Sequence, residues 1–71
     1  MDKFKLRSEF IKLDALLKAV GVASSGGMAK LLIADESVTV NGDLEKRRGK
    51  KIRSGDVVEI KLDKALRIEV E

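Results

Sequence analysis

From Leu13 to Gly42, two short helical periods run with almost no linker into a tight-turn signal, and that order leaves few folds open. Leu13, Leu16, Leu17 and Val20 recur at helical spacing, which predicts a first helix over Lys12 to Val20 with these residues on one face. Gly21 follows, where glycine can close the helix in the left-handed conformation. The Val22-Ala23 connector is so short that the next element should pack against the first. A second helix is expected from Ser25 to Asp35, with Met28, Ala29, Leu31 and Leu32 as its apolar set. Ser24 or Ser25 can cap it, the hydroxyl accepting from an amide that has no helical partner. Val38-Thr39-Val40 then alternates as a strand does, and Asn41-Gly42 supplies the positive φ angles of a type I′ turn.

The flanking segments read as strands and turns. Phe4-Lys5-Leu6-Arg7 alternates apolar and charged, which predicts a first strand with Phe4 and Leu6 inward. Ser8-Glu9 breaks the pattern, and Phe10 and Ile11 are expected beneath the first helix. After the turn, Asp43-Leu44-Glu45 begins a return strand that opens into the basic loop Lys46-Arg47-Arg48-Gly49-Lys50-Lys51. Ile52 returns to the core, Ser54-Gly55-Asp56 makes a second turn, and Val57 to Ile60 is a strand with Val58 and Ile60 on one face. Asp63-Lys64 turns the chain into a last alternating strand, Leu66 to Val70, expected to pair with the first. The fold class is α+β, two helices packed on a small, mostly antiparallel sheet.

Composition narrows the chemistry. Residues 1–71 read as one domain, near the lower limit for folding on a single core. With no cysteine there is no disulfide, and with no histidine either, no zinc site is expected. Phe4 and Phe10 are the only aromatic residues, so the core must be aliphatic. No apolar run is long enough for a membrane span, and the start lacks a signal-peptide pattern, so a soluble, cytoplasmic protein is expected. Of the formal net charge of +3, the stretch from Leu44 to Arg53 holds six bases against one acid, and the remainder is slightly acidic. Charge gathered this way makes one attractive face rather than a generally cationic surface.

Several segments in order resemble the S-four RNA-binding domain, or alpha-L motif, named after a small-subunit ribosomal protein. They are Lys12-Leu13-Asp14-Ala15-Leu16-Leu17, Ser25 with Ala29 and Ile33, Val38-Thr39-Val40-Asn41-Gly42, and Ser54-Gly55-Asp56-Val57-Val58-Glu59-Ile60. The resemblance covers about Lys12 to Ile60, and with the flanking strands the chain looks like small stand-alone bacterial proteins of this type. It implies RNA binding through the helix pair and adjoining loop, with no catalytic centre and no cofactor. Carried over by residue, Lys12 stands at the start of the first helix, where the family often has arginine. Ser25 matches the family's serine at the second helix, and Lys30 is a basic position on that helix. Gly26 stands where the common motif has arginine, and Glu36 where it commonly has glycine before the strand.

The candidate RNA-binding set is therefore Lys12, Ser25, Lys30, Lys46, Arg47, Arg48, Lys50 and Lys51. Arginine can fork onto two phosphate oxygens, and lysine adds point charge without demanding geometry. Gly49 would let the loop backbone approach a ligand. Lys46 and Arg53 lie at strand ends, where bases commonly serve solubility. Asn41 has a sufficient role in its turn, and Gly26-Gly27 either opens the second helix or permits close approach of another element or a phosphate. Asp14 and Asp56 read as a helix first-turn acid and a turn acid, not as a catalytic pair. With both phenylalanines assigned to the core, no aromatic is left for stacking unpaired bases. Structured RNA, ribosomal or tRNA-like, recognised by shape and phosphate position is the expected partner of a non-enzymatic monomer. An acidic protein partner and nonspecific duplex DNA are the alternatives.

Overall fold

The computed structural model describes residues 2–71. Strand β1 (Asp2–Phe4) and the short β2 (Ile11–Lys12) lead into helices α1 (Leu13–Ala19) and α2 (Gly26–Ala34). Strands β3 (Val38–Val40), β4 (Asp43–Leu44), β5 (Lys51–Ile52), β6 (Val57–Lys61) and β7 (Ala65–Val70) follow. The larger sheet has the order β1-β7-β6-β3-β4, and β2 with β5 forms a separate antiparallel ladder. This is the α+β architecture that the periodicity predicts. No helix among the described residues is long and apolar enough to cross a membrane.

The first and last strands do pair, in parallel, with Asp2 opposite Ile68 and Phe4 opposite Val70. The first strand is shifted from its expected place over Phe4 to Arg7. The parallel register sets Phe4 opposite Val70, the last residue of β7, so beyond Phe4 the described residues add one backbone bond there, from the Leu6 N–H to the Glu71 carbonyl at 2.8 Å.

One aliphatic core joins both layers. Leu13, Leu16 and Leu17 of α1 and Ile33 of α2 meet Val38, Ile52, Val58, Ile60 and Ile68, all essentially excluded from solvent. The register explains the sheet's share: Val38 faces Ile60 and Val40 faces Val58, while Val58 also faces Ile68. Successive side chains of a strand point to opposite faces, so pairing these positions turns every buried residue to the helical side. In α2 the buried set is Ala29 and Ile33, with Leu32 half-buried, while Met28 is 43% and Leu31 71% exposed. The expected apolar set is thus split, because α2 packs on α1 along one narrow i, i+4 edge. Phe10 also departs from expectation. It is half-buried and lies outside the core cluster.

The caps and turns form where the local sequence signals lie. Ser25 caps α2, its Oγ accepting from the Met28 N–H at 3.1 Å, and Gly21 adopts φ +82° after α1. Asn41 and Gly42 have φ of 52° and 88°, as a type I′ turn requires. Asn41 does more than turn. Its amide nitrogen donates to Asp56 at 3.0 Å, its side-chain oxygen accepts from the Val57 N–H at 2.8 Å, and its own N–H donates to the Val57 carbonyl at 2.7 Å. Asp56 also accepts from the Arg53 N–H at 2.8 Å. The Val-Asn-Gly and Ser-Gly-Asp signals, far apart in sequence, form one cross-linked double turn.

Asn41→Gly should keep the positive φ and lose both side-chain bonds, whereas Asn41→Ala loses the bonds and adds left-handed strain. Urea denaturation should show both destabilised, the alanine variant more, by on the order of 1–3 kcal/mol with an unchanged m-value. Wild-type stability in Asn41→Ala would show that the double turn does not depend on this residue.

Candidate nucleic-acid interface

The start of α1 has no side-chain cap. Lys12 occupies the N-cap position and makes no capping hydrogen bond. The basic loop supplies the missing acceptors: the Leu13 N–H donates to the Lys50 carbonyl at 2.9 Å, and the Asp14 N–H donates to the Arg48 carbonyl at 3.1 Å. Amides that a helix leaves unpaired are thereby satisfied by loop backbone, which fixes the loop against a rigid element. The Lys50 N–H donates to the Arg47 carbonyl at 3.2 Å and closes the loop's own turn. The chain then enters β5, where Ile52 pairs with Ile11 and Lys51 stands directly opposite Lys12.

Glu45 holds the other side of the loop. Its carboxylate accepts from the Arg47 backbone N–H at 3.0 Å, from Arg47 Nε at 3.1 Å and from Arg47 Nη2 at 3.2 Å. Glu45 is only 9% exposed, so this forked bond satisfies a carboxylate that burial would otherwise disfavour. The Arg47 side-chain hydrogen bond leads in holding the Glu45 carboxyl below its ordinary value, against the opposing effect of burial. The backbone bond and the charges of Arg47 and Lys50 pull the same way as that leading bond. Lys46 pairs with Glu36 at 2.9 Å, both side chains well exposed.

The candidate residues therefore fall into distinct settings. Lys12, Arg48, Lys50 and Lys51 are gathered around the start of α1 and make no ion pair among the described residues. Arg47 and Lys46 adjoin them but each has an acid partner, although the Arg47 fork leaves Nη1 free of that carboxylate. Ser25 spends its hydroxyl on capping α2. Lys30 is exposed on α2, with no hydrogen bond or ion pair to the loop among the described residues. Asp56 spends one carboxylate oxygen on its own turn and the other on Asn41, and Asp14 accepts from the Ala15 N–H at 2.8 Å, as turn and first-turn acids do. Added Cβ atoms at Gly26 would meet nothing within 4 Å, and at Gly27 only the Ser25 hydroxyl at 3.8 Å, so no packed neighbour requires these glycines.

A groove of 570 Å³ is lined by Arg47, Gly49, Lys50, Lys51 and Arg53, with no acidic wall. The neighbouring groove of 640 Å³, which shares Arg47 and Lys50, is also lined by Asp43, Glu45 and Asp56 and is less suited to an anion. Arg53 thus belongs with the candidate set, although its strand-end position reads as solubility in sequence. Phe10 is the residue that sequence reasoning misplaced: Lys51 Nζ lies 4.9 Å and Arg53 Cζ 5.8 Å from its ring centroid. The available signal was parity, since Phe10 precedes inward-facing Ile11 in the same extended segment.

Residues 4–69 match the family model described as the S4 domain. The chain belongs to the S4 domain family. It is also 47% identical over 53 residues to a probable ribosome maturation protein, RlbA, of Bacillus subtilis (strain 168), the match covering 75% of each chain. Within this S4 domain, Glu36 has φ 60°, so the position is left-handed and favours the glycine that the family commonly carries there.

The depressed Glu45 carboxyl has a signed consequence for stability. A carboxylate whose folded-state pKa lies below its unfolded value stabilises the fold above the unfolded pKa, and this contribution is lost as pH falls through the folded value. Thermal melts across pH should show wild type exceeding Glu45→Gln near neutrality, with the gap closing in acid. A gap constant with pH would assign the difference to packing rather than charge.

Proposed function

We propose that this S4 domain binds structured RNA, with ribosomal RNA or a ribosome assembly intermediate as its target, and acts by binding rather than by catalysis. The observation that carries the reading is the Lys12–Lys51 pair, two lysines directly opposite across the β2–β5 ladder. Like charges so placed repel and weaken a ladder, and an anion seated between them turns that repulsion into attraction. Arg48, Lys50 and Arg53 extend the same surface, and Arg47 offers the free edge of its guanidinium. Family membership and the similarity to a probable ribosome maturation protein support an RNA-related, ribosome-associated role.

In mechanism, phosphates of a folded RNA displace their counterions as they reach the groove beside Gly49 and the lysine pair. Because α1 and the loop share backbone hydrogen bonds, the loop's main chain is held in place before binding, and little backbone ordering cost remains. Lys30 and Lys46 add flanking attraction, and Ser25 serves the surface indirectly by holding the first turn of α2. The reading places residues 1–71 as one RNA-binding unit that acts as a monomer in the cytoplasm.

Fluorescence anisotropy with a labelled folded RNA and an equal-length DNA duplex tests this. Wild type should prefer the folded RNA, and Arg48→Ala/Lys50→Ala/Lys51→Ala should weaken binding and flatten the salt dependence by roughly one logarithmic unit of slope per lost phosphate contact. Equal binding of both nucleic acids, or an unaltered triple variant, would overturn the reading and direct attention to an acidic protein partner.

A further inference from the structure

The outward side of the β2–β5 ladder carries a feature that charge alone does not account for. Ile11 and Ile52 are paired and Ile52 is fully buried, so the flanking positions Phe10, Lys12, Lys51 and Arg53 turn outward. One aromatic ring thus stands among three cations. It lies outside the core cluster, half-buried, with the Lys51 ammonium 4.9 Å and the Arg53 guanidinium 5.8 Å from its centroid. A ring at this position gains little of the burial that the aliphatic core offers its own residues. The cation–π contacts hold both basic side chains at one edge of the groove lined by Arg47, Gly49, Lys50, Lys51 and Arg53.

We propose that Phe10, with Arg53 beside it, is a stacking seat for one unpaired nucleobase of the bound RNA. The proposal rests on the RNA-binding reading and deepens it: the target is a helix interrupted by a bulged or looped-out nucleotide, not a continuous duplex. An aromatic face accepts any base, and a guanidinium plane stacks on bases as well. As the base arrives, Lys51 exchanges the ring for the phosphate beside that nucleotide, and Lys12 opposite takes the next. The base is uncharged, so the seat adds affinity without adding salt dependence, unlike every other contact on this surface.

The test uses two labelled RNA hairpins with the same stem, one carrying a single bulged fluorescent adenine analogue. Wild type should bind the bulged hairpin more tightly, with a change in analogue fluorescence on stacking. Phe10→Leu should lose roughly five- to hundredfold affinity for the bulged hairpin alone, with its salt slope unchanged. Phe10→Tyr, which keeps the ring, should bind as wild type does, and circular dichroism establishes that each variant is folded. If folded Phe10→Leu binds both hairpins as wild type does, or if wild type does not distinguish them, the seat is refuted. The two readings fail separately. Loss of binding in the Arg48/Lys50/Lys51 triple variant with no effect of Phe10→Leu removes the seat and leaves the phosphate surface standing. Absence of wild-type binding to either hairpin removes both.

Discussion

The amides at the start of α1 are completed by carbonyls of the basic loop, and much of the architecture follows from that shared set of hydrogen bonds. A helix of seven residues is too short to be stable by its own propensity, so it depends on packing and on its ends being satisfied. Leu13, Leu16 and Leu17 provide the packing. Lys50 and Arg48 provide the end through their backbones, which leaves their side chains free for solvent or a ligand. A loop rich in like charges would otherwise be expected to spread and move. Here it is fastened to the helix on one side, and by the Glu45 carboxylate on the other.

The same economy of parts recurs at the double turn. Asn41 and Asp56 join two turns that each have local reasons to form, and so fix the register of β6 against β3. Since a slip of one residue would turn Val58 and Ile60 out of the core, this polar link protects the hydrophobic arrangement beneath it. The aliphatic core and the basic surface are thereby coupled. β5 carries Ile52 inward and Lys51 outward, and β2 carries Ile11 and Lys12 in the same alternation.

Electrostatically, the surface is divided more finely than the run of bases implies. Lys46 and Arg47 have acid partners within the fold, whereas Lys12, Arg48, Lys50, Lys51 and Arg53 make no ion pair among the described residues. The acid that neutralises Arg47 sits within the basic run itself, two residues away. Net charge over a segment measures how strongly a surface attracts anions from a distance, but ion pairing decides which side chains are free to take them.

Much was legible in the sequence because it is written locally. Helical spacing around Leu13 to Val20, the Ser25 cap, the Asn41-Gly42 turn and the alternation of Val57 to Ile60 each depend on residues within a turn or two of one another. These are decided by backbone sterics and by the periods of helix and strand. The β2–β5 ladder, the parallel sense and register of the β1–β7 pairing and the tertiary cap on α1 were decided only by the folded chain. So were the burial of Glu45 against Arg47 and the displacement of Phe10 from the core to the cationic surface. Each depends on contacts between segments distant in sequence, where composition records what a residue is but not which partner it will meet.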